Sequence, residues 1–171
     1  MIAALQLNNF FTESFSIGTN SYYVPGVTED RVAGKINSSL EIAIPEKEGK
    51  YPYRVSLTVS IEPAQEKPAL DPYAIKFKII GFFTLSGNPS SDQKERMLNL
   101  NGGAMLYGIL RGFVAQTTGS ATFGKYILPA INFVDIYEKN AHQRALENEP
   151  ELKKKSSTRK RRSPNKRRVK S

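Results

Sequence analysis

Side chains that trade protons, attack a substrate or ligate a metal are scarce in this chain. There is one histidine, His142, on the polar side of a C-terminal helical stretch, and there is no cysteine. A lone histidine of that kind reads as a surface residue. Serine and threonine are frequent, but no Gly-x-Ser-x-Gly elbow frames a nucleophile. No phosphate loop or Gly-x-Gly-x-x-Gly turn is present, and the Gly102-Gly103 pair follows no strand. The acidic residues are scattered, so none pair as acid and base. The chain is therefore read as a non-enzyme, with no catalytic residues, no metal and no cofactor. The absence of cysteine also excludes a disulfide scaffold and is compatible with a reducing compartment.

The chemistry on offer is electrostatic, and it is concentrated in one place. Of the 25 Lys and Arg, 11 fall in residues 152–171, and none of the 16 Asp and Glu do. Residues 1–151 keep 14 basic against 16 acidic side chains, so the net charge of +9 comes from the tail. Like charges at that density repel one another, and Leu152 and Val169 are the only larger apolar residues there. The tail, residues 150–171, is expected to be disordered, with residues 1–149 as one folded domain. Lys153, Lys154, Lys155, Arg159, Lys160, Arg161, Arg162, Lys166, Arg167 and Arg168 are candidate polyanion contacts, acting by counterion release. With no aromatic residue among them they offer no base stacking. Either the tail binds nucleic acid, ribosomes or anionic lipid, or it only solubilises the protein.

The elements before the tail follow from periodicity. Residues 5–24 read as a short strand or two, followed by an aromatic connection through Tyr22, Tyr23 and Val24 to Pro25-Gly26. Over 31–45, Val32, Ile36, Leu40, Ile42 and Ile44 share one face. Over 53–62, Val55, Leu57, Val59 and Ile61 alternate with Arg54, Ser56, Thr58 and Ser60. A period of two means strands with one buried face. The next strand, 73–85, places Ile75, Phe77, Ile79, Phe83 and Leu85 on one face. Ile80 and Phe82 on the other predict cover on both sides towards its end. Short turns join these strands into an antiparallel sheet.

Beyond Gly87-Asn88-Pro89-Ser90-Ser91-Asp92, which supplies helix caps, the period becomes helical to about Thr117. Leu106, Ile109, Leu110, Phe113 and Val114 form one apolar face. Ala104, Gly108, Gly112 and Ala115 lie opposite. Each glycine costs ~1 kcal/mol in a helix relative to alanine, so close approach of another backbone is the expected reason for them. These four are the candidate oligomer interface. Gly119 to Lys125 is a loop, and a last helix starts near Phe133 with Asn132 as its cap. No apolar run reaches the ~20 residues that span a bilayer. The N-terminus, with no basic start and no continuous apolar core, does not read as a secretory signal, so a cytoplasmic location is expected.

Four segments resemble the SecB family of export chaperones. Gly81-Phe82-Phe83-Thr84-Leu85-Ser86-Gly87 is similar to the end of that family's fourth strand. Leu106-Tyr107-Gly108-Ile109-Leu110-Arg111 is similar to its first-helix motif, with Gly108 where the family usually has proline. Leu128-Pro129-Ala130-Ile131-Asn132-Phe133 is similar to its Leu-x-Pro-Val-Asn-Phe segment, shifted slightly at the proline. The opening Leu7 to Phe15 fits its first strand. The resemblance implies an α+β fold, a four-stranded antiparallel sheet followed by two helices, assembled as a dimer of dimers. It implies an ATP-independent chaperone that binds unfolded polypeptide clients, supporting export or a dedicated client. Tyr22, Tyr23, Val24, Leu128, Ile131, Ile136 and Tyr137 are the client-binding candidates, while Phe133 reads as core. The resemblance also implies delivery to the SecA motor through an acidic sheet surface. Here Lys76 occupies the acidic position and Lys78 follows it, which weakens that partner. The alternative is a nucleic-acid- or ribosome-associated oligomer acting through the basic tail.

Overall fold

The computed structural model describes residues 4–45 and 52–139. Four strands, β1 (Leu5–Thr19), β2 (Lys35–Ala43), β3 (Tyr53–Glu62) and β4 (Tyr73–Leu85), form one antiparallel sheet in the order β1-β4-β3-β2. Helix α1 (Ser91–Met97) follows, then a π turn (Leu98–Gly102) and α2 (Gly103–Thr118). Residues 133–139 are helical and are called α3. The chain divides into two compact units, Met1–Phe133 and Val134–Ser171. The sheet, α1 and α2 belong to the first; residues 134–139 of α3 are the described part of the second.

The expected antiparallel sheet is present, and its two faces differ as the alternation requires. Val55, Leu57, Val59 and Ile61 of β3 and Ile75, Phe77, Ile79 and Phe83 of β4 point inward and are buried. Leu98 of the π turn and Leu106, Leu110 and Val114 of α2 complete this core. Each such side chain contributes ~1.5–3 kcal/mol by leaving water. The outer face carries Arg54, Thr58, Ser60, Lys76 and Lys78.

Two expectations are corrected. Residues 5–19 form one strand of 15 residues, not a short strand or two. Register shifts between Leu7 and Asn9 and between Thr12 and Ser14 reset its alternation, which hides a long strand from a period-two reading. The stretch 31–45 enters the sheet only at Lys35, because Val32 bonds elsewhere: its N–H donates to the Pro68 carbonyl (2.8 Å) and its carbonyl accepts from Leu70 (2.8 Å). The cover expected on both sides near the end of β4 is present: Ile80, on the outer face, is only 2% exposed. It pairs with Phe11 and Ser56, and the Phe11 ring lies 6.0 Å from that of Phe82.

Ser90 caps α1 with a capping box. The Gln93 N–H donates to Ser90 Oγ (3.3 Å), and the Ser90 N–H donates to Gln93 Oε1 (3.0 Å). The helix does not break at Gly102-Gly103 but widens by a π turn before it. Gly103 has a packing reason: a Cβ there would lie 2.7 Å from the Phe133 ring. The buried face of α2 is Leu106, Tyr107, Leu110, Val114 and Thr118. It is rotated from the expected one, bringing Tyr107 in and leaving Phe113 40% exposed. Tyr107 turns inward because its hydroxyl finds a partner, donating to the Pro129 carbonyl. Burial raises the phenol's pKa, partly opposed by the nearby Arg111 charge.

Candidate functional site

Among the described residues, no group of three or more His, Asp and Glu could hold a metal, and no helix is long and apolar enough to cross a membrane. The features that remain are surfaces, and two stand out.

The first lies where three connections meet: residues 20–34 between β1 and β2, 63–72 between β3 and β4, and 119–132 after α2. These segments lack ladder partners, so their polar groups must be satisfied among themselves. Asn20, 6% exposed, does much of this. Its side-chain amide donates to the Asp71 carbonyl (3.0 Å), its side-chain oxygen accepts from the Tyr22 N–H (3.0 Å), and its own N–H donates to the Pro72 carbonyl (2.8 Å). The Ala69 N–H donates to the Tyr22 carbonyl (3.0 Å). The Tyr73 hydroxyl donates to the Gly124 carbonyl (2.9 Å) and accepts from the Phe123 N–H (3.0 Å). The buried Thr118 hydroxyl accepts from the Tyr126 N–H (2.8 Å), tying the connection back to the end of α2. The Tyr126 hydroxyl donates to Asp71 Oδ1 (2.8 Å). Burial, then that bond and the Asp71 charge, push the Tyr126 pKa well above the usual tyrosine value.

This polar layer supports an aromatic one. The Tyr23 and Phe123 rings meet at 5.0 Å, and the Arg31 guanidinium lies 5.4 Å from the Tyr23 ring centre. Tyr22 (38%), Leu70 (45%) and Ile127 (56%) are exposed, one on each of the three connections. The second surface is the outer side of α2. Ala104, Gly108 and Gly112 are exposed and Ala115 half-buried. A Cβ at Gly108 or Gly112 would meet nothing within 4 Å. Met105 is exposed beside this stripe. Phe113 leans on the sheet edge, its ring 4.8 Å from Phe15 and 5.3 Å from Phe77.

Of the client-binding candidates, Tyr22 is exposed, and Tyr23, Val24 and Ile131 are half-buried in the first unit. Ile136 and Tyr137 are half-buried on α3 in the second. Leu128 is a correction: at 1% exposure it belongs to the core and cannot touch a client. In extended chain, neighbours point to opposite sides. Tyr126 and Leu128 face in, so Ile127 faces out. The alternation in 126–128 was the signal; choosing Leu128 picked the wrong phase. Leu70 was missed because it sits in a proline-rich loop with no period. Phe133 is core as expected, 8% exposed with its ring 6.0 Å from Tyr107. Lys76 is exposed on the outer face, whereas Lys78 pairs with Glu13 at 2.5 Å. His142 and the candidate polyanion contacts, Lys153 to Arg168, lie outside the described residues.

A family profile described as "Preprotein translocase subunit SecB" matches residues 2–144. The chain belongs to the SecB family. Among curated SecB proteins, the protein-export protein SecB of Anaplasma phagocytophilum (strain HZ) is 30% identical over 95 residues, which are 54% of this chain and 59% of that protein. The match thus spans under two thirds of the relative's length. Among solved structures, a SecB-like chaperone of Mycobacterium tuberculosis, in complex with a peptide from an antitoxin, aligns over 75% of this chain and 91% of its own. Its TM-score is 0.49 and its identity 14%. A protein of unknown function from Streptococcus agalactiae aligns over 74% of this chain and 97% of its own, with a TM-score of 0.40 and 13% identity. Within the SecB family, this chain pairs the expected sheet with a lysine pair on β4.

Proposed function

We propose that the protein is an ATP-independent chaperone that holds unfolded polypeptides in the cytoplasm, in support of protein export or of a dedicated client. The observation that carries this reading is the set of uncovered apolar side chains at the junction of the three connections, in a chain of the SecB family. Tyr22, Leu70 and Ile127 are exposed although the backbone beneath them is held by buried hydrogen bonds. Exposed hydrophobes on a fixed frame mark an interaction site. An unfolded segment covering them would gain ~25 cal/mol per Å2 of apolar area, offset by the ordering of the client. Many weak contacts of that kind bind without needing nucleotide to release. Tyr23, Val24 and Ile131 extend this proposed surface, Leu128 is withdrawn from it, and Ile136 and Tyr137 are proposed as client contacts of the second unit in their own right.

The proposed assembly is a homotetramer, a dimer of dimers. The open stripe Ala104, Gly108, Gly112 and Ala115 on α2 supports it, since small side chains let a second helix approach closely. Delivery to SecA is the weaker part of the proposal. Lys76 offers a positive charge where an acidic one would attract a basic partner, although Glu13 offsets Lys78. The basic tail is proposed as an accessory polyanion contact.

The experiment is aggregation of a chemically denatured client, followed by light scattering with and without the protein. The full chain and a chain ending at residue 152 should both suppress it. No suppression by the full chain, or complete loss on removing residues 153–171, overturns the proposal.

A further inference from the structure

We propose that Asp71 and Tyr126 are positioning residues for the polypeptide site, holding Tyr22, Leu70 and Ile127 exposed on the three connections. This rests on the chaperone reading above and assigns the part of the fold that sets the shape of the surface.

Asp71 is 7% exposed and its carboxylate joins two separate segments. One oxygen accepts from the Gly34 N–H at 3.3 Å, where the first connection leads into β2. The other accepts from the Tyr126 hydroxyl at 2.8 Å, in the segment after α2. Its backbone carbonyl accepts from Asn20, at the start of the first connection (3.0 Å). One residue of the 63–72 loop therefore holds both ends of one connection and the middle of another. Gly34 is packed into the same joint: a Cβ there would lie 2.4 Å from the Glu62 carbonyl oxygen and 3.0 Å from Asp71 Oδ2.

A carboxylate is an expensive group to bury, and an apolar side chain would fill the space more cheaply. What the carboxylate adds is direction, because its hydrogen bonds fix where two loops stand. The fixed groups sit next to the exposed hydrophobes. Asp71 follows Leu70, Tyr126 precedes Ile127, and Asn20 accepts from the Tyr22 N–H. Burial alternates along both segments: Ala69 and Asp71 are buried on either side of exposed Leu70, and half-buried Tyr126 and buried Leu128 flank exposed Ile127. Pinning Asp71 and Tyr126 inside thus keeps Leu70 and Ile127 outside. The Tyr126 phenol is a donor at neutral pH, and its raised pKa carries that donor role further into the alkaline range.

The test uses the full chain and a fluorescein-labelled unstructured peptide rich in leucine and phenylalanine, with Kd read by anisotropy. Tyr126→Phe keeps the ring and removes only the hydroxyl. Asp71→Asn keeps the size but puts an amide nitrogen where one of the two donors points. Ile127→Ser changes the exposed surface alone. Both latch variants should raise Kd about fivefold or more, at a temperature where circular dichroism reports each fully folded. Tyr126→Phe should add little to Ile127→Ser, because both act on the same contact. Wild-type Kd in Tyr126→Phe, or a loss that adds in full to that of Ile127→Ser, overturns the inference while leaving the chaperone reading intact. Failure of the unmodified protein to bind the peptide overturns both.

Discussion

The outer side of α2 and the junction of the three connections both expose apolar surface, yet they are built by opposite means. On α2 the backbone satisfies itself, and the surface is shaped by volume alone: small residues in the stripe, and a Phe15–Phe77–Phe113 ring cluster anchoring the edge. At the junction the chain has no ladder, so Asn20, Asp71, Tyr73, Thr118 and Tyr126 supply the partners. Regular elements can present hydrophobes at no polar cost, whereas loops can do so only over a satisfied polar layer. The first region should therefore respond to changes of size and the second to changes of hydrogen bonding.

The largest expected effect is on the packing side. Phe77→Ala removes the ring on which Phe15 and Phe113 rest, and should cost about 3–5 kcal/mol in urea unfolding. A loss under 1 kcal/mol would mean the cluster is not the anchor. Gly103→Ala sets two effects against each other. Helix propensity gains ~1 kcal/mol, but the new Cβ would lie 2.7 Å from the Phe133 ring and 3.3 Å from Leu40. Overpacking of ~1–3 kcal/mol should win, giving a net destabilisation visible as a lower urea midpoint. An increase would show that Phe133 yields freely.

The hydrogen-bonded side has a pH signature. The Tyr126 phenol is held protonated in the fold above its ordinary value of 10.0. As pH rises past that value, the unfolded chain loses the proton first. The contribution is complete below pH 10.0 and is lost as pH climbs towards the folded value. Unfolding free energy should therefore fall on alkaline titration. Tyr126→Phe should make the fall shallower, leaving the share from Tyr107, whose pKa is raised too. An unchanged slope would remove Tyr126 from the latch. The smallest stability change is expected at Gly108→Leu. With nothing within 4 Å of its Cβ, the single chain should gain no more than ~1 kcal/mol from propensity. The mass by light scattering should instead drop from that of the proposed tetramer to that of a dimer, and an unchanged mass would discard the stripe as an interface.

How much of this was legible depended on whether a residue's neighbours in space were also its neighbours in sequence. Val55 to Ile61 and Ile75 to Phe83 alternate, and their strands fell where expected. The cap of α1 fell within the candidate stretch Gly87 to Asp92, and the fold selected Ser90, paired with Gln93 three residues on. The bulges of β1 disturbed the period, and no periodicity could say that Tyr107 rather than Phe113 faces inward on α2. That choice came from the Pro129 carbonyl, 22 residues away.

From composition and spacing alone came a sheet of alternating strands, a helix with a row of small residues, and a separate store of positive charge. Local rules decide such things, because side-chain period and capping act over a few residues. Only the folded chain decided that Leu128 is core and Ile127 surface, that Leu70 is exposed, and that Asp71 joins Gly34 to Tyr126. Those outcomes depend on which loops meet, and loops meet where the sheet brings them, whatever their own sequences prefer.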